Sequence, residues 1–252
     1  MKGVVYQCFL ASAAGGLLSL DRTAAFQVMV SRPLIVSPVI GYILGDAMAG
    51  LLIGGILELL FIGELPLGGY IPPNETMLTV VITAVSLIIG QKTSGVMDIT
   101  VFPNWSLLRF GIADIFFTLG LTILIVIPMD TICRKADTAV RVFNARFFNA
   151  ALAGLDKGFI KAVGTNNLKG LGIFFILNLL TIFVLTLIGV LLVYILLPFL
   201  PRIVVMSLPL AVGAVCVTGL SSACNVLRGS RSQAIFLAAT FFAITLLAAV
   251  IR

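Results

Sequence analysis

The sequence predicts an all-α integral membrane protein, with multiple transmembrane helices interrupted by broken or re-entrant hairpin segments. Three observations carry that prediction. Hydrophobic residues make up 60% of the 252-residue chain and charged residues only 10%, against roughly 25% charged in an ordinary soluble domain. Ten acids and sixteen bases cannot coat a soluble protein of this size, which excludes a soluble enzyme. Uncharged runs recur at the length of a membrane span, about 20 apolar residues for roughly 30 Å of hydrocarbon. Between Pro33 and Gly90 the apolar run is cut repeatedly by Gly, Pro and acids. Irregular backbone is tolerated at membrane depth only where it lines a cavity or packs inside protein.

Taken in order, Gly3–Leu20 is uncharged and reads as a first span. Lys2 and the Ala11-Ser12-Ala13-Ala14 run also fit a cleaved signal peptide, although the same run serves as a membrane segment. Pro33, Pro38, Asp46, Glu58 and Glu64 then interrupt the chain, followed by Pro66, Gly68, Gly69, Pro72, Pro73, Asn74 and Glu75. Re-entrant hairpins or broken helices are expected here, as in transporters that bind solute near the midplane. Gly41, Gly45 and Ala49 are spaced by four, as are Asp46, Gly50, Gly54 and Glu58, a pattern that lets helix backbones approach closely. Thr76–Gln91 and Phe110–Met129 continue as spans, the latter carrying only Asp114, for which pairing with Arg109 near an interface is expected.

Asp130–Lys169 has a different texture. Ile132, Ala136, Val140, Phe143, Phe147, Ala151, Leu155 and Phe159 recur every three or four residues, with bases mostly between them. That pattern predicts one or two amphipathic helices on the membrane surface, ended by a turn at Gly164-Thr165-Asn166-Asn167. Leu171–Leu200, Ile203–Leu227 and Ser232–Ile251 follow as uncharged spans. The chain thus divides into a membrane half at 1–128, a basic segment at 129–170 and C-terminal membrane helices at 171–252.

The net charge of +6 does not indicate nucleic acid, because of where it lies. Arg134, Lys135, Arg141, Arg146, Lys157, Lys161 and Lys169 all fall in one loop. This is the positive-inside pattern and places the segment in the cytoplasm, where it could dock an acidic or phosphorylated partner. Cys8, Cys133, Cys216 and Cys224 are scattered without a CxxC pair and read as apolar fillers. The chain has no histidine, which excludes histidine-based catalysis, histidine zinc sites and a phosphohistidine relay on this chain. No GxxxxGK[ST] loop is present, and no cofactor or metal is expected. Energy for transport comes from a gradient or a partner.

Acids inside membrane segments are costly and mark functional sites by default. Asp46, directly after Gly45, reads equally as a helix cap and as a ligand. Glu58 lies among Leu57, Leu59, Leu60 and Phe61 with no base nearby in sequence, and its carboxylate suits a polyhydroxylated solute. Asn74 and Glu75 in the Pro-rich break, and Gln27 ahead of Arg32-Pro33, complete the candidate substrate-binding set.

The run Arg32-Pro33-Leu34, Gly41, Leu44-Gly45-Asp46, Gly50, Gly54-Gly55 and Glu58-Leu59 resembles the signature of the mannose/sorbose-type phosphotransferase-system permease subunit, enzyme IIC. Asp21-Arg22, Gln27, Ser31 and the Gly69…Pro72-Pro73 stretch fit the same pattern. The resemblance implies a multi-pass subunit of the bacterial cytoplasmic membrane that forms a sugar pathway with a IID membrane subunit. It also implies IIA and IIB proteins that pass a phosphoryl group between histidines to a hexose-type sugar, in an oligomeric complex. Glu58 and the polar residues of the Pro-rich break would then face the sugar. Two other readings are a stand-alone cation-coupled transporter using Asp46 and Glu58, and a non-transporting membrane scaffold.

Overall fold

The computed structural model describes residues 2–25, 27–62, 72–93, 112–156 and 160–226. Glu64, the 66–69 cluster, Arg109, Lys157, Phe159 and the expected last span at 232–251 lie outside the described residues, as do the side chains of Asp114 and Leu155. Eight α-helices are described: α1 (Lys2–Thr23), α2 (Pro33–Leu44), α3 (Ala47–Phe61), α4 (Glu75–Thr93), α5 (Ile112–Val126), α6 (Asp130–Asp156), α7 (Ile160–Leu196) and α8 (Arg202–Val226). Among the described residues, four stretches are long and apolar enough to cross a membrane: Gly3–Arg22, Ile115–Gly154, Gly164–Phe199 and Ile203–Cys224. Three of the described apolar helices are shorter, Pro33–Leu44, Ala47–Phe61 and Glu75–Gln91. The protein is a multi-pass α-helical membrane protein.

The core is built around α4. Every residue from Thr76 to Ile89 is buried, the behaviour of a helix apolar on all sides and enclosed by others. α1 runs antiparallel to it: Gln7 donates to Gln91 at 3.3 Å at one end, and Arg22 donates to the Pro73 carbonyl at 3.1 Å at the other. α7 also runs antiparallel to α1, since Phe9 meets Phe183 edge-on and Asn178 donates to Ser19 at 2.7 Å. α5 and α8 close the other side, where Gly120 lies against Leu208 and Val212.

α2 lies parallel to α4, and a ladder of polar contacts fixes their register. Arg32 donates to Glu75 at 2.9 Å, and Ser37 and Thr83 share a hydroxyl bond at 2.8 Å. At the far end, Gln91 donates to the Leu44 carbonyl at 2.7 Å. Each rung supplies a partner for a polar group that lipid could not satisfy.

One expectation changes in the basic segment. The turn placed at Gly164–Asn167 is helix, inside α7, so the division at residue 170/171 also falls within one helix. Glycine and asparagine disfavour helix by up to about 1 kcal/mol each, less than the cost of ending a long helix and nucleating it again. Here Asn166, Asn167 and Gly170 of α7 border a shared hollow with Asn144 and Phe147 of α6. The apolar stripe of α6 is only partly buried. Val140 is enclosed, whereas Ile132 and Phe143 stay exposed, free for lipid contact.

Candidate functional site

The site is organised by a re-entrant hairpin. α2 has 12 residues and α3 has 15, about 18 and 22 Å of helix, so neither crosses roughly 30 Å of hydrocarbon. They fold back on each other at Gly45-Asp46. Gly45 takes a left-handed φ of 97°, a conformation that glycine adopts without a Cβ penalty. The Asp46 and Gly45 amides bond back to the Gly41 and Tyr42 carbonyls at 2.8 and 3.2 Å, the Schellman pattern that ends a helix. Asp46 then caps α3 by accepting from the Ala49 amide at 2.9 Å.

The glycine spacing has a direct steric cause. A Cβ on Gly41 would stand 2.8 Å from Gly50 Cα, one on Gly50 would stand 2.6 Å from the Ser37 carbonyl oxygen, and one on Gly54 would stand 2.8 Å from the Pro33 oxygen. The two backbones touch, and nothing but glycine fits at these three positions. Gly55 has no neighbour within 4 Å of such a Cβ. Pro33 sits in the first turn of α2, where its missing N–H costs nothing.

At the open end of the hairpin, Arg32 stands between two carboxylates. Its Nη1 lies 2.9 Å from Glu75 Oε2 and 4.0 Å from Glu58 Oε1. Glu58 also accepts from the Leu34 amide at 3.2 Å, one of the donors that the start of a helix leaves unpaired. The expectation that Glu58 is uncompensated is therefore corrected. Arg32 and Glu58 lie equally far before and after Gly45, so a fold-back at that glycine brings them together. The side chains of Arg32, Glu58 and Glu75 keep 44%, 27% and 18% of their exposure, so a polar solute can reach all three.

The other candidates do not join this cluster. Asn74 is 3% exposed; its Oδ1 caps α4 at the Met77 amide, 3.2 Å away, and its own amide donates to Asp130 at 3.0 Å. Asp46 lies at the opposite end of the hairpin. Gln27 is exposed on the α1–α2 connection with φ 54°. Two acids not singled out in the sequence prove structural. Asp21 accepts from the Val28 and Ser31 amides at 2.9 and 3.2 Å, shaping the connection that delivers Arg32. Asp130 pairs with Arg134 and anchors the start of α4. The Asp-Arg pair at 21–22 and the acid opening the basic segment were the only sequence signals for them.

A bundle of membrane-crossing helices with a re-entrant hairpin and a charged, reachable mouth defines a polytopic membrane protein of permease type. The family described as the PTS system sorbose-specific IIC component matches residues 5–251, and the chain belongs to that family. N-acetylgalactosamine permease IIC component 1 of Escherichia coli strain K12 is 34% identical over 110 residues, 43% of this chain and 39% of that protein. The PTS system mannose-specific EIIC component of the same strain is 23% identical over 206 residues, 81% of this chain and 68% of that one. The aligned part spans at most 63% of the N-acetylgalactosamine relatives' length. A solved structure described as a membrane protein shares the fold, with a TM-score of 0.65 at 19% identity, covering 99% of this chain and 95% of that one.

Proposed function

We propose that this chain is the sugar-conducting IIC subunit of a bacterial phosphotransferase system, and that the mouth of the α2–α3 hairpin is its sugar contact. The observation that carries the reading is Arg32 held between Glu58 and Glu75 at a reachable re-entrant mouth, in a chain of this family. Paired carboxylates accept hydrogen bonds from neighbouring sugar hydroxyls, and the guanidinium donates to ring or hydroxyl oxygens. The 4.0 Å Arg32–Glu58 contact is the weaker of the two and the one a sugar would exchange. Relatives named for N-acetylgalactosamine, mannose and sorbose support a monosaccharide substrate. The family gives no support to the stand-alone cation-coupled alternative.

Orientation follows from charge. Arg22, Arg32, Arg134, Lys135, Arg141, Arg146 and Lys169 belong to the end of the bundle that holds the mouth, whereas Lys2, Lys92 and Arg202 begin or end helices at the other. By the positive-inside rule the mouth opens to the cytoplasm. A sugar released there meets the phosphorylated IIB partner, with a IID subunit completing the pathway in the inner membrane. The test is uptake and phosphorylation of monosaccharides with and without those partners. Accumulation should require them, and Glu58→Gln should weaken sugar binding roughly tenfold to a hundredfold, the worth of a charged hydrogen bond. Unchanged affinity in a correctly inserted variant, or gradient-driven uptake by the chain alone, would overturn the reading.

A further inference from the structure

A second hollow lies at the same end of the bundle, away from the hairpin. It has a volume of about 290 Å³ and sits where α6, α7 and the chain just past α1 meet. Asn144 of α6 and Asn166 and Asn167 of α7 border one part, and Phe147, Leu171 and Phe174 border the rest. Along α7 these residues straddle a sharp change: Thr165–Gly170 is polar apart from Leu168, and the uncharged apolar run begins at Leu171. The hollow therefore sits at the boundary between headgroups and hydrocarbon, with amides on its wet side and rings on its dry side.

One atom in it is unexplained by the protein. Asn144 Oδ1 is buried and has no hydrogen-bond partner among the described residues. A buried acceptor left unmade costs about 1–3 kcal/mol, which a donor from a bound molecule would recover. The neighbouring bases do not supply the donor: Arg141 pairs with Asp137 at 3.4 Å and Arg146 stacks over the Phe143 ring at 5.2 Å. Lys169 is exposed beside the rim and suits a phosphate.

We infer that this hollow is a binding site for one glycerophospholipid whose headgroup carries hydrogen-bond donors. An ethanolamine ammonium or a headgroup glycerol hydroxyl donates to Asn144 Oδ1. The Asn166 and Asn167 amides and Lys169 take the phosphate, and an acyl chain runs along Phe147, Leu171 and Phe174. The site holds α6, the basic segment, against α7 at the membrane surface, through lipid as well as through protein contacts.

Choline has no N–H, so the headgroup itself provides the control. Native mass spectrometry of the full chain, titrated with phosphatidylethanolamine, phosphatidylglycerol or phosphatidylcholine of identical acyl chains, should show one tight site for the first two. Binding of phosphatidylcholine should be about tenfold weaker, the loss of one hydrogen bond. Asn144→Leu should erase the difference between headgroups. Should that variant fail to fold, stepwise N-methylation of the ethanolamine headgroup on the unaltered protein makes the same test, with affinity falling at the last methyl. Equal binding of all three lipids, or a preference that survives Asn144→Leu, would overturn the proposal.

Discussion

The two ends of the α2–α3 hairpin are built from different materials. At the tip, Gly45 and Asp46 turn the chain with backbone geometry: a left-handed glycine, a Schellman pair and a capping carboxylate, all made with main-chain groups. At the mouth, the two helices are joined by side chains, Arg32 reaching Glu58 and Glu75, and Glu58 reaching back to the Leu34 amide. Main-chain contacts of this kind have one geometry. Long charged side chains have several and exchange partners at little cost. The difference teaches where a ligand can act: binding energy can rearrange the mouth, whereas the tip and the glycine seam only transmit it.

The seam between them should give the largest effect when broken. Gly50→Val places a Cβ 2.6 Å from the Ser37 carbonyl oxygen, 3.0 Å from Gly41 Cα and 3.1 Å from Pro38 Cα. Backbone cannot move aside as a side chain does, so a destabilisation of about 3 kcal/mol or more is expected. The measurement is the yield of monodisperse protein in mild detergent and its thermal midpoint. Gly55→Ala, where nothing lies within 4 Å, should match the parent. Equal behaviour of the two variants would mean that the seam is not closed as described.

The mouth rests on a second foundation, and the next largest effect comes from there. Asp130, 5% exposed, accepts from the Asn74 amide and pairs with Arg134. Asp130→Ala leaves that buried amide without a partner at the start of α4, at about 1–3 kcal/mol. Glu75 is the next residue, so sugar binding should weaken along with stability. A stability loss with unchanged sugar affinity would show that the start of α4 does not position Glu75.

The sequence made the hairpin legible because its constraints are local. Gly41, Gly50 and Gly54 lie on the seam as their spacing indicated, and Asp46 caps a helix directly after a glycine; Gly45 instead turns the chain, and Pro33 and Pro38 lie within α2 rather than breaking it. The mouth was half legible: Glu58 stood out as an acid among leucines, but its partner lies on the other arm of the fold-back. Asn74 was read as a solute ligand and is a buried cap, because the same carboxamide suits both tasks and only burial separates them. The turn expected at Gly164–Asn167 failed for a different reason: four weak helix formers cost less than ending α7 and nucleating it again would.

The smallest effect, and the sharpest division of tip from mouth, is expected at Asp46. In sequence its carboxylate was as good a ligand as Glu58, on the same glycine stripe. In the structure Oδ1 is engaged by the Ala49 amide at 2.9 Å, and the residue itself is exposed at the hairpin tip, an α2 length away from Arg32. Removing an N-cap of this kind costs about 1 kcal/mol, and an exposed cap sits at the lower part of that range. Asp46→Ala should therefore lower the thermal midpoint slightly and leave sugar affinity at the parent value, while Asp46→Asn, which can still accept from Ala49, should restore the midpoint. Glu58→Gln should show the reverse, with affinity lost and midpoint nearly kept. If Asp46→Ala instead weakens sugar binding as much as Glu58→Gln does, the tip is part of the solute pathway and the two ends are not divided as their chemistry indicates.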